Sequence, residues 1–377
     1  MRIVHVVRQF KPSIGGMEEV VWHLSNYCKE TGGEVQIVTL NRLFTDPVHA
    51  LPTTEIMNGL VVNRIPYLGT KRYPIAPSVL KQIAQADIIH VHGIDFFYDF
   101  LALTKFFHRK VLVVSTHGAF FHTSVFAKIK KIWFQTITRF SAYAYMRVIA
   151  TSDNDYSMFA KILPKSKLTV IENGVDIDKF YDMGSVTSGK TLIYFGRWSS
   201  NKGLLEILDV MKALVAIDNE WNLILAGKEY DYTCAFFMQQ IADRSLAKNV
   251  QLFPSPTDTE LKNLIHQSHF FICLSDHEGF GIAVIESMSA GLIPILSAIP
   301  PFKKIINQSH VGIIVDKLCV DTSIRAMVHL SRCCNDNRLS LRQRAIEFSH
   351  HYKWEMTANK YFMEYQNMLS SQKFKFI

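Results

Sequence analysis

The sequence predicts an α/β protein of two doubly wound domains in tandem. Three observations carry this. Short β-branched runs alternate with helical stretches, a polar Gly/Ser-rich pause divides the series, and 377 residues suffice for two ordinary cores. Strands of a parallel sheet are buried on both faces and read as near-continuous apolar runs joined by crossover helices. The first series is 3–7, 35–40, 60–65, 87–91, 111–116, 148–151 and 168–171; the second is 191–195, 221–226, 250–253, 270–274, 293–296 and 312–315. The pause at 182–190 sets the expected boundary, giving domains 1–183 and 190–353. Residues 354–369 read as a last amphipathic helix, and 354–377 is expected to pack back toward the first domain. Ligands of open α/β sheets bind beyond the carboxyl ends of the strands, so the active site is expected in a cleft shared by the two domains.

Composition narrows the classes. With 48% hydrophobic and 20% charged residues, disorder is not the default. The N-terminal apolar stretch is short and lacks a small-residue cleavage site, so no secretion signal is expected. No window approaches the roughly 18 to 20 apolar residues of a membrane-spanning helix, so membrane contact would be peripheral. The six cysteines show no CxxC pair and no zinc-like spacing, which fits reduced thiols in a cytoplasm. The formal charge of +8 is concentrated between 100 and 152, which holds Lys105, Arg109, Lys110, Lys128, Lys130, Lys131, Arg139 and Arg147 and no Asp or Glu. Aromatic residues interleave with these cations, as on surfaces that sit on anionic lipid; a buried helix with a solvated basic edge fits equally. No nucleic-acid-binding module is recognisable.

Three segments carry chemistry. Gly15 and Gly16 lie between the first strand and a helical pattern, where glycines let backbone amides approach a phosphate or a sugar, though a plain tight turn gives the same pattern. Arg197 and Lys202 follow the strand at 191–195; two cations there suit a diphosphate, or are solvated loop charges. The sharpest signal is Glu278, Gly279, Phe280, Gly281 and then Glu286, a glycine-rich loop leading into a helix. Glu286, about two turns on, is expected to follow the same side as Glu278. One carboxylate could accept sugar hydroxyls and the other a ribose diol. His117 closes a strand ahead of Gly118, with room for a sugar beside it, although a histidine there is commonly structural. His90 and His92 share one side of a strand, but no third metal ligand is evident, so a structural or cleft-lining role is expected.

These residues resemble glycosyltransferase family 4, in the order Gly15-Gly16-x-Glu18, Thr116-His117-Gly118, Asn173-Gly174-Val175-Asp176, Gly196-Arg197-x4-Lys202-Gly203, Leu225-Ala226-Gly227 and Glu278-x7-Glu286. The resemblance spans almost the whole chain. It implies the GT-B fold of two Rossmann-like domains, acceptor in the first and nucleotide sugar in the second, with retaining transfer and no metal or cofactor. It assigns Arg197 and Lys202 to the diphosphate, Glu278 to the donor sugar, Glu286 to the ribose and His117 to a donor-sugar contact. One departure is the segment Ile299-Pro300-Pro301-Phe302-Lys303, where the family has a Gly-rich turn and a Glu; any contact from that turn is in doubt.

The opening segment looks most like the bacterial α-mannosyltransferases that use GDP-mannose on a polyprenyl-diphosphate-linked oligosaccharide in exopolysaccharide synthesis. That implies a cytoplasmic enzyme, peripheral on the inner membrane face, with UDP-glucose or UDP-N-acetylglucosamine as alternative donors. A nucleotide-sugar epimerase or a non-catalytic nucleotide-sugar-binding protein are the readings from other classes.

Overall fold

The computed structural model describes residues 1–71, 73–118, 132–316 and 320–373, and their side chains except at 320, 333–336, 372 and 373. The chain divides into two compact units, Met1–Gly174 with Trp354–Ile377, and Val175–Lys353.

The strands of unit 1 are β1 (Arg2–Val7), β2 (Glu34–Leu40), β3 (Thr54–Met57), β4 (Leu60–Ile65), β5 (Leu68–Thr70), β6 (Tyr73–Ile75), β7 (Ile88–His92), β8 (Val111–Ser115), β9 (Arg147–Ala150) and β10 (Leu168–Val170). Eight form one sheet in the order β10-β9-β8-β7-β1-β2-β4-β3. All its pairs are parallel except β3 with β4. The seven expected strands are present. The additional β3, and the small antiparallel β5–β6 pair, are short and largely exposed, so they lack the apolar runs that announce the others.

Helix Trp354–Lys373 belongs to unit 1. Its Ala358, Tyr361, Tyr365 and Met368 join one apolar cluster with Leu24 and Cys28 of helix Gly16–Glu30 and with Ile88, Val111 and Val113. Glu364 pairs with Arg147 at 2.9 Å, and Trp354 stacks on His23 with ring centres 4.3 Å apart.

Unit 2 holds β11 (Thr191–Phe195), β12 (Asn222–Gly227), β13 (Val250–Pro254), β14 (Phe270–Cys273), β15 (Ile293–Ser297) and β16 (Ile313–Val315), all parallel, in the order β13-β12-β11-β14-β15-β16. The division between units falls at Gly174/Val175 rather than in the polar pause at 182–190. Val175, Ile177 and Phe180 are buried in the unit 2 core, and the pause is fastened there as well. The amides of Asp182 and Gly184 donate to Ser289 and Ala290 carbonyls, and Arg342 pairs with the Asp182 carboxylate at 2.6 Å.

In each sheet the strand order reverses beside its first strand, between β1 and β7 in unit 1 and between β11 and β14 in unit 2. Such switch points leave a crevice at the carboxyl ends of the strands where ligands bind.

Candidate functional site

In unit 2 the loop after β11 is pinned by Trp198. Its indole is fully buried edge-on against Phe237, and its amide donates to the Lys228 carbonyl at 2.8 Å. Tyr194 Oη donates to the Arg197 carbonyl at 2.9 Å, while the Arg197 guanidinium lies exposed over the Tyr230 ring, 5.3 Å from its centre. Gly203 then starts helix Leu204–Ile217 at φ 67, and a Cβ there would run into the Leu274 carbonyl, so only glycine lets this turn approach the end of β14. The helix end and β14 thereby meet at the switch point.

That approach brings Lys202 Nζ into an ion pair with Glu278 Oε1, which also accepts from Ser275 Oγ at 3.1 Å. The two loops are tied again where the Asp276 amide donates to the Asn201 carbonyl at 2.9 Å. Both charged side chains are about four-fifths buried, with 17% and 18% exposure. Gly279 is exposed, and Gly281, at φ 98, begins helix Ile282–Ser289. The Phe280 ring is buried against Tyr352, 5.1 Å between centres, within the unit 2 core.

Glu278 lies in the loop, beside Lys202 and Ser275, and Glu286 on the helix that starts at Ile282. Burial raises Glu286 to about 7, opposed by Lys179 and reinforced by Asp176 and Asp258. Lys179 itself reaches Asp258 at 3.5 Å. At the departing segment, Pro300 and Pro301 open helix Pro300–Ser309, and Phe302 is buried.

In unit 1, Gly15 caps helix Gly16–Glu30 with extended backbone, and Glu18 accepts from Ser13 Oγ at 3.0 Å. Beyond β8, His117 adopts a left-handed conformation, φ 48, which few side chains tolerate. A residue not singled out by the sequence holds it there. The buried Asp155 carboxylate accepts from Thr116 Oγ1 at 2.6 Å, the Gly118 amide at 3.1 Å and Thr151 Oγ1 at 3.3 Å, clamping both sides of His117. Asp155 stands on helix Asp153–Phe159, whose cap Ser152 accepts from the Asp155 amide.

The structure also supplies the third histidine that the sequence did not reveal. His5 of β1 is in register with His90 of β7, and His5, His90 and His92 bring ring nitrogens within 4.8 Å of one another. A metal would have to displace existing bonds. His90 Nδ1 meets Tyr365 Oη at 2.6 Å and its Nε2 meets Ser115 Oγ at 2.8 Å; His92 Nε2 meets His5 Nδ1 at 2.9 Å and its Nδ1 meets His117 Nε2 at 3.0 Å. Burial lowers His5 to about 3 and His117 to about 4, and holds His90 and His92 well below the ordinary histidine value, so these rings are neutral at pH 7.

Comparison with known proteins identifies the family. Residues 14–179 match the family model described as Glycosyltransferase Family 4, and residues 178–347 match Glycosyl transferases group 1. The chain is 50% identical over 372 residues to the GDP-mannose:cellobiosyl-diphosphopolyprenol alpha-mannosyltransferase of Xanthomonas campestris, covering 98% of each. It is 36% identical to the protein of that name from Komagataeibacter xylinus, covering 98% of this chain and 94% of the relative. Among solved structures, Anabaena HepE in complex with UDP aligns with a TM-score of 0.70 at 17% identity, covering 98% of this chain and all of that one, which supports the GT-B architecture. The matches make the protein a hexosyltransferase, and the chain belongs to glycosyltransferase family 4.

Proposed function

We propose that the chain transfers mannose, with retention and without a divalent metal, from GDP-mannose to cellobiosyl-diphosphopolyprenol in surface polysaccharide synthesis on the cytoplasmic face of the membrane. The donor and acceptor rest on the names of relatives half and a third identical over nearly the full length. The observation that carries the chemistry is the Lys202–Glu278 pair at the unit 2 switch point. A bound diphosphate takes the Lys202 and Arg197 cations, freeing Glu278 to accept sugar hydroxyls, while ionised Glu286 accepts the ribose diol. As the anomeric carbon–oxygen bond to diphosphate breaks, the acceptor oxygen bonds on the same face and its proton passes to the departing phosphate oxygen. The cations stabilise the charge that develops on the leaving group.

The test is transfer to the lipid-linked disaccharide from GDP-mannose, UDP-glucose and UDP-N-acetylglucosamine, with chelator present. The expected result is an α-linked product from GDP-mannose alone. A UDP-sugar preference overturns the donor, and loss of transfer with chelator overturns the metal-free reading. Donor isomerisation without acceptor indicates an epimerase, and binding without turnover a non-catalytic protein.

A lipid-linked acceptor requires access to a membrane surface. No helix among the described residues is long and apolar enough to cross one. Unit 1 instead exposes Phe106 and Phe107, 77% and 80%, next to Arg109 and Lys110, with exposed Phe140 and Arg139 on helix Arg139–Ala144, which packs on helix Phe96–Leu103. Aromatic rings flanked by cations suit anionic lipid. Lys128, Lys130 and Lys131 lie outside the described residues. Phe106→Ser with Phe107→Ser is expected to reduce flotation with phosphatidylglycerol vesicles; undiminished flotation would remove this surface from the reading.

A further inference from the structure

His5, His92 and His117 form an unbroken line of hydrogen-bonded imidazoles from the interior of unit 1 to the loop after β8, through the 2.9 Å and 3.0 Å contacts. His90 stands apart from this line. Although its ring lies 4.0 Å from that of His92, both of its nitrogens are committed to Tyr365 and Ser115, and Ser115 Oγ lies 3.1 Å from Tyr361 Oη. His92 thus has its two nitrogens divided between His5 on one side and His117 on the other.

Each neutral imidazole carries one N–H, so a line of three has two proton arrangements that keep both bonds. In one, every hydrogen points inward: His117 Nε2 donates to His92, His92 Nε2 donates to His5, and the His5 hydrogen rests on Nε2. In the other, every hydrogen points outward: His5 Nδ1 donates to His92 Nε2, His92 Nδ1 donates to His117 Nε2, and the hydrogen of His117 rests on Nδ1. His5 Nε2 decides between them, because it is fully buried with no hydrogen-bonding partner. The inward arrangement puts an N–H at that atom with nothing to receive it. The outward one leaves only a bare lone pair, and orphaned buried N–H groups are much the rarer defect. The inward arrangement does place each hydrogen on the nitrogen free imidazole prefers, but that small preference competes with the whole hydrogen bond forfeited at His5.

We propose that His5 and His92 are positioning residues that lock His117 in the tautomer bearing hydrogen on Nδ1, so that His117 acts as a hydrogen-bond donor to a sugar hydroxyl and not as a base. The proposal rests on the reading of His117 as a substrate contact. Among the described residues its Nδ1 has no protein partner, and Asp155 fixes the backbone on either side. Neutrality of the three rings at pH 7 is consistent with their burial. A line of lone pairs and N–H groups pointing one way transmits the state of the interior to the substrate-facing atom, as the hydrogen-bond partner of a metal-bound histidine's other nitrogen fixes its tautomer.

The experiment is nitrogen-15 NMR of the imidazoles in the full-length, ligand-free protein at neutral pH. The expected spectrum has His117 with protonated Nδ1 and unprotonated Nε2. A His117 resonance pair with hydrogen on Nε2, or a charged imidazole, overturns the proposal, as does a stoichiometric metal found in the purified protein. His92→Leu is expected to move the His117 signals toward the mixed-tautomer positions of free imidazole. His92→Asn, whose side-chain amide can still donate toward His117, is expected to restore them. Unchanged His117 signals in a folded His92→Leu variant overturn the relay; should that variant not fold, the wild-type spectrum alone decides. Because the spectrum is read without substrate, absence of mannosyl transfer would count against the functional reading while leaving this one to stand or fall separately.

Discussion

The two units place polar groups at the ends of buried strands by opposite means. Unit 1 gathers four imidazoles, three fully buried and His117 partly so, which burial keeps neutral and which bond to one another, Ser115 and Tyr365. Unit 2 keeps full charges, Lys202 against Glu278, but leaves them partly open to solvent. Neutral rings can be fully desolvated at little cost because no ion has to leave water, whereas an ion pair buried to the same depth would struggle to recover its desolvation. In the proposed function the partial exposure of Lys202 and Glu278 is what would let them trade partners with a ligand, whereas burial and hydrogen bonds hold the histidines in place.

Acid should separate the units most clearly. An unfolded histidine takes a proton near 6.5, but folded His117 and His5 resist until about 4 and about 3. Between those values the unfolded chain binds more protons, so stability falls as pH falls, by about 1.4 kcal/mol per pH unit for each group in its window. Unit 2 has His269 acting in the same direction, while Glu286, raised to about 7 from the usual glutamate value, acts in the opposite sense and weakens unit 2 as pH rises toward 7. Amide hydrogen exchange of β7 and β14 between pH 7 and 4.5 should show β7 losing protection first; equal loss would erase the contrast.

Next in size, Lys202→Ala and Glu278→Ala should each lower transfer roughly 10²- to 10³-fold, the scale of losing one preorganised charge-stabilising group. Both should retain the wild-type circular dichroism spectrum, and full activity in either would remove the pair from the mechanism. Asp155→Ala tests the other side. Loss of three hydrogen bonds to one buried carboxylate should destabilise unit 1 by about 3 kcal/mol, read from urea unfolding followed by β7 exchange. A neutral result would mean that His117 keeps its conformation unaided. The smallest effect is at Glu286: nucleotide affinity should rise a few-fold as pH passes through about 7 and the carboxylate ionises, and Glu286→Gln should flatten that rise in calorimetric titration.

Much of this was legible in sequence because strands buried on both faces write themselves as apolar runs. Residues 3–7 and 270–274 are examples, and the glycines around Glu278 mark the tight turn. Strands β3, β5 and β6 escaped because exposed edge segments have no such signature. The expected boundary follows the polar pause at 182–190, whereas Ile177 and Phe180, ahead of that pause, are assigned to the second core only by packing. Asp155 and His5 were invisible for a deeper reason. A single aspartate at a helix start reads as a cap, and a single histidine in an apolar strand reads as filler. Their partners lie on other strands, at Thr116 and His92, and come close only when the sheet forms.

The return of helix Trp354–Lys373 to unit 1 bears on the order in which the protein can be finished as it leaves the ribosome. Tyr361 and Tyr365, which complete the bonds of Ser115 and His90, are synthesised after all of unit 2. Unit 1 therefore cannot be completed, and its histidine layer stays uncovered on that side, until all of unit 2 has been synthesised.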